Sequence, residues 1–303
     1  YQFRYRHRFG ERISLDKQAS PRDSYRDLNY FCLMNRILFL LALIIPVCSI
    51  MGWDELEPGL QWNIFRSPLY PDSVNTCIRI LKIDPSRFHL RVLSVSAPGQ
   101  EKLLSTMQWC EKEGLVAAIN AAMYQTDYRT SVSLLKTQLF VNNPRLSGDK
   151  TILAFDRRTA GFPAVKIIDR QCEDFQIWKD RYGSFVQSIR MISCTGKNVW
   201  AKNLPRWSIA AIATDKSGHI LMIHVALPHT VHELANILLS LPLGIERAMY
   251  LEGGSEAQLS VVSRKKRIEI AGMYTGTGYS PVAAPAIPNV IGVARGSWPL
   301  SSK

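Results

Sequence analysis

A carboxylate at the end of an apolar, strand-like run is the feature of this sequence best suited to chemistry. Residues 248–251 form the run, and Glu252, Gly253 and Gly254 follow it directly. Two glycines let backbone N–H groups approach a ligand closely, and a carboxylate beside them can transfer a proton or stabilise positive charge. Periodicity alone allows an alternative, in which the glycines form a turn and Glu252 is solvated.

Polar side chains also stand at the ends of other apolar runs. Asn120 follows the run 115–119, Gln187 and Ser188 follow residues 184–186, and Arg206 opens a further run. Strand ends that converge can build a site, and an arginine there could bind an anion. The commoner alternative for Arg206 is a surface side chain whose stem covers apolar neighbours.

A histidine-rich stretch raises the question of a metal. His224, His229 and His232 lie close together, and Glu233 follows them. Their spacing differs from the H-E-x-x-H zinc motif, and Glu233 has a place in a helix cap. We therefore expect neither a metal nor another cofactor.

Alternating apolar and polar residues predict the strands that must position these groups. Residues 77–94 and 206–225 are each typical of a hairpin. Short helices are predicted over 105–113 and, behind a capping box of Thr230 and Glu233, over 231–241. Further strands are predicted over 115–119, 151–155, 164–168, 248–251 and 289–294. The pattern predicts one α+β domain over residues 54–296, with a mixed, largely antiparallel β-sheet and packed helices.

The composition is that of a basic globular protein. The 303 residues carry 37 Lys and Arg against 25 Asp and Glu, a formal charge of +12, and 47% are hydrophobic. This excludes a disordered chain, and a single apolar stretch excludes a polytopic membrane protein. The basic cluster 264–267 is interpreted as a solvated hairpin turn, so we expect no nucleic-acid partner. Four cysteines, whose pairing the sequence leaves open, are Cys77, Cys110, Cys172 and Cys194.

The N-terminal residues resemble an export signal. Met34, Asn35 and Arg36 stand before the apolar run 37–51, as a basic region stands before a hydrophobic one. We interpret residues 1–33 as an extension outside the domain and residues 34–49 as a signal peptide or an N-terminal membrane anchor. The expected location is exported, either periplasmic or anchored to the membrane and facing the periplasm.

Four segments together resemble those of the phosphodiester glycosidase domain family, which includes the N-acetylglucosamine-1-phosphodiester uncovering enzyme. The family patterns are N-[AG]-G-[MF]-[FY], Q-S-G-P, R-N-[GA]-[IV]-G and L-[DE]-G-G-x-[SA]. Their counterparts here, in the same order, are residues 120–124, 187–190, 206–211 and 251–257. The resemblance covers most of residues 115–293 and identifies the chain as a divergent, bacterial-type member.

The resemblance implies an exported glycosidase that hydrolyses a sugar-1-phosphodiester at the glycosidic C–O bond and releases a phosphate monoester. Glu252 would activate water or stabilise the sugar cation, and Arg206, or secondarily Arg190, would neutralise the phosphate. The implied catalytic residues are Glu252, Asn120 and Arg206. The implied substrate-binding residues are Gln187, Ser188, Tyr124, Arg190, Gly253 and Gly254. Asp127 and Asp149 are alternatives for a second carboxylate.

The chain departs from each family pattern. Ala121 and Ala122 stand where glycine is expected, Arg190 stands where proline is expected, Trp207 replaces asparagine, and Glu252 replaces the usual aspartate. These departures keep a second function open, that of a non-catalytic glycan-binding or exopolysaccharide-assembly protein on the same fold.

Overall fold

The structure, a computed structural model, describes residues 52–71, 77–202, 205–273 and 283–296. The predicted extension (1–33) and the predicted signal or anchor segment (34–49) lie outside these residues. Within the described ranges, no helix combines the length and the apolar character needed to cross a membrane.

The described residues are mostly in β-strands. In chain order the strands are β1 (Asp54–Glu57), β2 (Leu60–Phe65), β3 (Ile78–Ile83), β4 (Phe88–Ser94), β5 (Ala117–Asn120), β6 (Leu135–Lys136), β7 (Val141–Asn143), β8 (Thr151–Arg157), β9 (Lys166–Asp169), β10 (Tyr182–Ile192), β11 (Trp207–Asp215), β12 (Ile220–His229), β13 (Ile245–Gly253), β14 (Gln258–Val262), β15 (Arg267–Ala271) and β16 (Asn289–Arg295). The helices are α1 (Thr106–Glu113), α2 (Phe175–Trp178) and α3 (Val231–Ser240).

The strands form two antiparallel sheets. The first sheet has 11 strands in the order β1-β2-β3-β12-β11-β13-β10-β6-β7, with β8 paired to β10 and β9 paired to β8. The second sheet has 5 strands in the order β15-β14-β5-β16-β4.

The predicted fold class, α+β with a mixed sheet and packed helices, is wrong. Strands account for 45% of the described residues and helices for 11%. The reason lies in the core, where Leu81 and Val186 of the first sheet pack in one cluster with Ile119 and Leu259 of the second. Because the sheets bury each other's apolar faces, helices are needed only outside them. Helix α3 packs on the outer face of the first sheet and α1 packs on the second.

The predicted hairpin over residues 77–94 is also wrong, although both of its strands exist. Strand β3 pairs with β2 and β12 in the first sheet, whereas β4 pairs with β16 in the second. The turn between them carries the chain from one sheet to the other. Leu81 on β3 and Leu90 on β4 lie in the same core cluster, so the two strands share a core without pairing.

Several local predictions are confirmed. Strands β11 and β12 form the predicted hairpin. Ser105 caps α1, which ends at Gly114 in a left-handed conformation with φ of 64°. Thr230 and Glu233 form the predicted capping box of α3. The basic cluster 264–267 lies at the β14–β15 hairpin turn.

The structure pairs two of the cysteines. Cys172 and Cys194 form a disulfide with Cα atoms 6.6 Å apart, while Cys77 and Cys110 are buried. The disulfide joins the chain that follows β9 to the chain that follows β10.

Candidate functional site

The candidate site lies where β13 of the first sheet and β5 of the second reach their last residues. Glu252 is the penultimate residue of β13, and Asn120 is the last residue of β5. Between β13 and β14 the chain makes one 3-10 turn over Gly254–Glu256. This turn connects the two sheets, so groups from both sheets meet around it.

Glu252 is a buried carboxyl group. Only 8% of the residue is exposed, and its register partner Ala210 on β11 belongs to the core between the sheets. Burial, with a smaller contribution from the charge of Glu256, raises the pKa of Glu252 from 4.5 to about 8. The backbone N–H of Gly253 donates to Glu252 Oε1 at 2.9 Å, which opposes the shift in part. At neutral pH the group therefore carries its proton and can act as an acid.

Glu256 was not among the predicted site residues, yet it interacts with the group around Glu252. The pKa of Tyr124 is raised, first by burial and then by the charge of Glu256, by a hydrogen bond with it and by the charge of Glu252. The Tyr124 phenol therefore keeps its proton and donates to the Glu256 carboxylate. The sequence held one signal for Glu256, its position four residues after Glu252 in the same Gly-rich segment.

Asn120 holds the turn in place. Its side-chain amide donates to the backbone carbonyl of Glu256 at 2.7 Å, and its carbonyl accepts the backbone N–H of Gln258 at 2.7 Å. His224 supports the same segment, since its Nε2 lies 3.0 Å from the backbone carbonyl of Ala257. The amide of Asn120 thus holds the backbone of Glu256 and Gln258 through both its nitrogen and its oxygen.

Gly253 and Gly254 are each required for a different structural reason. A Cβ atom on Gly253 would collide with the hydroxyl of Tyr250 and the indole of Trp207, so only glycine fits beneath these rings. Gly254 has φ of +69°, a left-handed conformation that side chains disfavour. Trp207, a departure from the family pattern, therefore packs directly on the end of β13.

The side chains of Gln187 and Ser188 differ in their hydrogen bonding. The Gln187 amide accepts the backbone N–H of Ser147 at 3.0 Å and donates to the backbone carbonyl of Asp149 at 2.7 Å, and so fixes a loop. The Ser188 hydroxyl is buried and has no hydrogen-bond partner among the described residues. Ile189 is the register partner of Tyr250 on β13. One residue further along the same antiparallel register, Ser188 lies opposite Leu251, the residue that precedes Glu252.

Arg190 forms an ion pair with the buried Asp169. Its guanidinium lies 3.1 Å from both carboxylate oxygens of Asp169. Asp169 also accepts the backbone N–H of Cys194 at 3.0 Å, which places the pair beside the disulfide. In this arrangement Arg190 braces the end of β10.

Arg206 lies immediately before β11, three residues from Ile209, the register partner of Gly253. Its guanidinium donates to the carboxylate of Glu233 in the first turn of α3 and to the hydroxyl of Tyr70. The side chain is 39% exposed. It is therefore a cation that solvent or a ligand can reach, and Glu233 is a carboxylate partner of it.

The histidines of the predicted cluster contact different parts of the protein. His224 bonds to Ala257, and burial lowers its pKa to about 4. The Nε2 of His229 lies 2.8 Å from the hydroxyl of Ser67, and the Nδ1 of His232 lies 2.7 Å from the backbone carbonyl of Trp200.

Asp149 and Asp127, the two alternatives for a second carboxylate, form hydrogen bonds within loops. Asp149 accepts hydrogen bonds from the hydroxyls of Ser133 and Ser147. Asp127 is exposed and accepts from Thr130 and from the backbone of Arg129. Glu256 is the carboxylate that acts electrostatically on Glu252.

The fold resembles solved structures of low sequence identity. One is the catalytic domain of zebrafish N-acetylglucosamine-1-phosphodiester alpha-N-acetylglucosaminidase, auto-inhibited by its pro-peptide, with a TM-score of 0.60, 14% identity and coverage of 80% of this chain and 85% of that chain. Another is a hypothetical protein from Synechocystis, with a TM-score of 0.54, 15% identity and coverage of 80% and 63%. No curated protein sequence matches this chain significantly.

The family comparison covers the candidate site. Residues 113–294 match the phosphodiester glycosidase family, and this range includes Asn120, Arg206, Glu252 and Glu256. The match spans more than half of the 303 residues. On this basis, the chain belongs to the phosphodiester glycosidase family.

Proposed function

We propose that this protein is a hydrolase that cleaves a sugar-1-phosphodiester at the glycosidic C–O bond and releases a phosphate monoester. The observation that carries the proposal is the buried, proton-bearing Glu252 next to a second carboxylate, Glu256. Glycosidases commonly use two carboxyl groups in different protonation states, one as an acid and one as a base or nucleophile.

The two carboxyl groups take different roles in this proposal. Glu252, protonated at neutral pH, donates its proton or a hydrogen bond to the oxygen that leaves with the phosphate. Because it is neutral, it does not repel an anionic phosphodiester. Glu256 supplies the negative charge that stabilises the sugar cation or activates water, and Tyr124 fixes it by a hydrogen bond.

The remaining residues bind the substrate or position the acids. The hydroxyl of Ser188, which has no hydrogen-bond partner in the part of the chain that the structure describes, is available to a sugar hydroxyl. Asn120 acts through the backbone of the Gly254–Glu256 turn. Gln187 and Arg190 act through the loop and the strand end that they brace.

We also propose that the protein is exported. The export-like pattern at Met34 and the Cys172–Cys194 disulfide support this location, since disulfides persist in oxidising compartments. A reporter active only in the periplasm, fused after residue 51 of a chain that starts at Met34, should be active, and a cytoplasmic product would contradict export.

An activity screen tests the proposed reaction. The full chain should release a phosphate monoester from at least one sugar-1-phosphodiester in a panel that includes the nitrophenyl phosphodiester of N-acetylglucosamine. Saturable binding of the panel without turnover would instead support the glycan-binding alternative.

Arg206→Lys tests the phosphate role of the exposed cation. Lysine keeps the charge but loses the planar fork that grips phosphate, so kcat/KM should fall about tenfold more for phosphodiesters than for phosphate-free nitrophenyl glycosides. The matched control is Glu233→Gln, which preserves the helix cap and removes the ion-pair partner. If Arg206 binds phosphate, the control should keep or improve phosphodiester affinity. Equal losses on both substrate types would assign Arg206 to anchoring α3 alone.

A further inference from the structure

A second set of buried polar groups lies in a cavity that shares no lining residue with the candidate site. The cavity has a volume of about 320 Å³ and is bounded by β4, by the turn between β6 and β7, and by β8 and β10. Its apolar lining residues include Leu90, Val92 and Phe140, and its buried polar lining residues include Asp156 and Ser184. This volume is within the range of small-molecule sites.

Asp156 is an unusual residue for the middle of a strand. It is 7% exposed, yet its neighbours Phe155 and Arg157 pair regularly with Ser184 and Tyr182. Its φ of +59° is in the left-handed region, which residues other than glycine, asparagine and aspartate rarely adopt. Such strain persists where the surrounding structure imposes it, and it is concentrated at binding and catalytic sites.

The carboxyl group of Asp156 has little compensation inside the protein. The Ser184 hydroxyl donates a hydrogen bond to its Oδ2, and no salt bridge to it is found among the described residues. The guanidinium on the same cavity wall, that of Arg91, is paired with Glu113 at 3.1 Å, and the guanidinium of Arg157 bonds to the carbonyl of Phe162. Burial raises the pKa of Asp156 to about 6, so the group is mostly charged at pH 7.5. A buried charge of this kind is stabilised when a cation binds beside it.

The rim of the cavity is polar. Gln100, Thr137 and Gln138 line the cavity as well. The Gln100 amide bonds to Glu113 and Lys112, and the Thr137 hydroxyl bonds to the backbone of Leu139 and Phe140. The exposed amide of Gln138 can hydrogen-bond a hydroxyl group of a ligand. Phe140 contributes an aromatic ring to the lining, and such a ring can attract a cation or pack against an apolar ring face. The cavity thus combines a buried carboxyl group, an apolar wall and an amide, that of Gln138, suited to a hydroxyl group.

We propose that this cavity binds a small, polyhydroxylated primary amine of monosaccharide size, with its ammonium group against Asp156 and its ring against Phe140. This second site does not depend on the hydrolytic reaction. Because binding can be measured without turnover, its failure is distinguishable from failure of the proposed function.

The test measures binding of glucosamine to the full chain by calorimetry at pH 7.5, with glucose and N-acetylglucosamine as neutral probes of similar size. Glucosamine should bind at least tenfold more tightly than either neutral sugar. Binding should also weaken at higher salt, because it includes an ion pair. Equal binding of the three sugars, or no binding of glucosamine, would overturn the proposal.

Asp156→Asn is the decisive variant. Asparagine keeps the size of the side chain and tolerates the left-handed conformation, so the fold is expected to survive while glucosamine binding weakens at least tenfold. Asp180→Asn, at an exposed position, removes the same charge and should leave binding unchanged. Ser184→Ala keeps the Asp156 charge and should retain the preference for the amine. If Glu252→Gln abolishes amine binding while Asp156→Asn does not, the amine binds at the other site and the proposal is wrong.

Discussion

Glu252→Gln is expected to lower kcat for the best sugar-1-phosphodiester on the order of a hundredfold or more, because glutamine keeps the shape of the side chain and cannot give up a proton. KM should change little, since the glutamine amide would still offer hydrogen bonds to a bound substrate. The control is Glu246→Gln, an exposed glutamate on the same strand, which should retain wild-type turnover. Unchanged turnover in Glu252→Gln would remove this group from the mechanism and leave glycan binding as the better account.

The pH profile identifies the role of the proton. Since the pKa of Glu252 is about 8, the acid form is depleted above that pH, and kcat/KM should decline there. In Glu252→Gln the alkaline decline should be lost from the residual activity. An alkaline decline that persists unchanged in the variant would assign it to another group.

The same substitution should stabilise the fold in alkaline solution. The pKa of Glu252 is raised from 4.5 to about 8 in the folded state, so the stability from this group is fully present below pH 4.5 and is lost as the pH rises through 8. One pKa unit corresponds to about 1.4 kcal/mol, so at pH 9 the wild type bears a penalty on the order of a few kcal/mol. Urea unfolding at pH 9 should therefore show Glu252→Gln as the more stable protein, with a smaller difference at pH 5. Such a gain in stability with a loss of activity is expected when a buried charge serves function.

Local features of the sequence predicted the local structure well. The capping box at Thr230 and the Gly114 helix end depend on contacts within a few residues, and both are confirmed. The pairing of β3 and β4 depends instead on which sheet each strand joins. Alternation over residues 77–94 is the same for a hairpin and for two strands that face each other across a core, so the pattern could not separate them. The predicted fold class is wrong for the same reason. The alternating pattern does not show that two sheets face each other, and facing sheets bury their apolar faces without helices.

The residues of the candidate site also differ in how far the sequence could predict them. Glu252 was predicted because a carboxylate and two glycines at a strand end are visible in the sequence. Its raised pKa was not predictable, because burial arises from two sheets that lie far apart in the chain. Glu256 was missed because its relation to Tyr124 requires the 3-10 turn and the end of β5 to meet. Asn120 stays a predicted catalytic group, and the sequence did not show that its amide bonds to the backbone of Glu256 and Gln258.

Asn120→Leu is expected to destabilise the fold by roughly 2–5 kcal/mol, because it leaves the backbone carbonyl of Glu256 and the backbone N–H of Gln258 without their buried partner. The matched control is Asn143→Leu on β7, where the amide likewise makes two hydrogen bonds to the backbone, to Ser131 and Arg145. Urea unfolding should show comparable losses for the two variants.

Turnover per folded molecule distinguishes the role of Asn120 from that of Asn143. If Asn120 positions Glu256, Asn120→Leu should lose on the order of a hundredfold in kcat at temperatures where it is fully folded, while Asn143→Leu should lose little. The alkaline limb of the pH profile gives a second measure. The charge of Glu256 contributes to the raised pKa of Glu252, so a displaced turn should move that limb to lower pH in Asn120→Leu and leave it in place in Asn143→Leu. Equal losses of activity in the two variants, with no shift of the limb, would show that Asn120 has a structural role alone. A displaced turn would have changed the pKa of Glu252, so an unchanged limb means that the turn has kept its position.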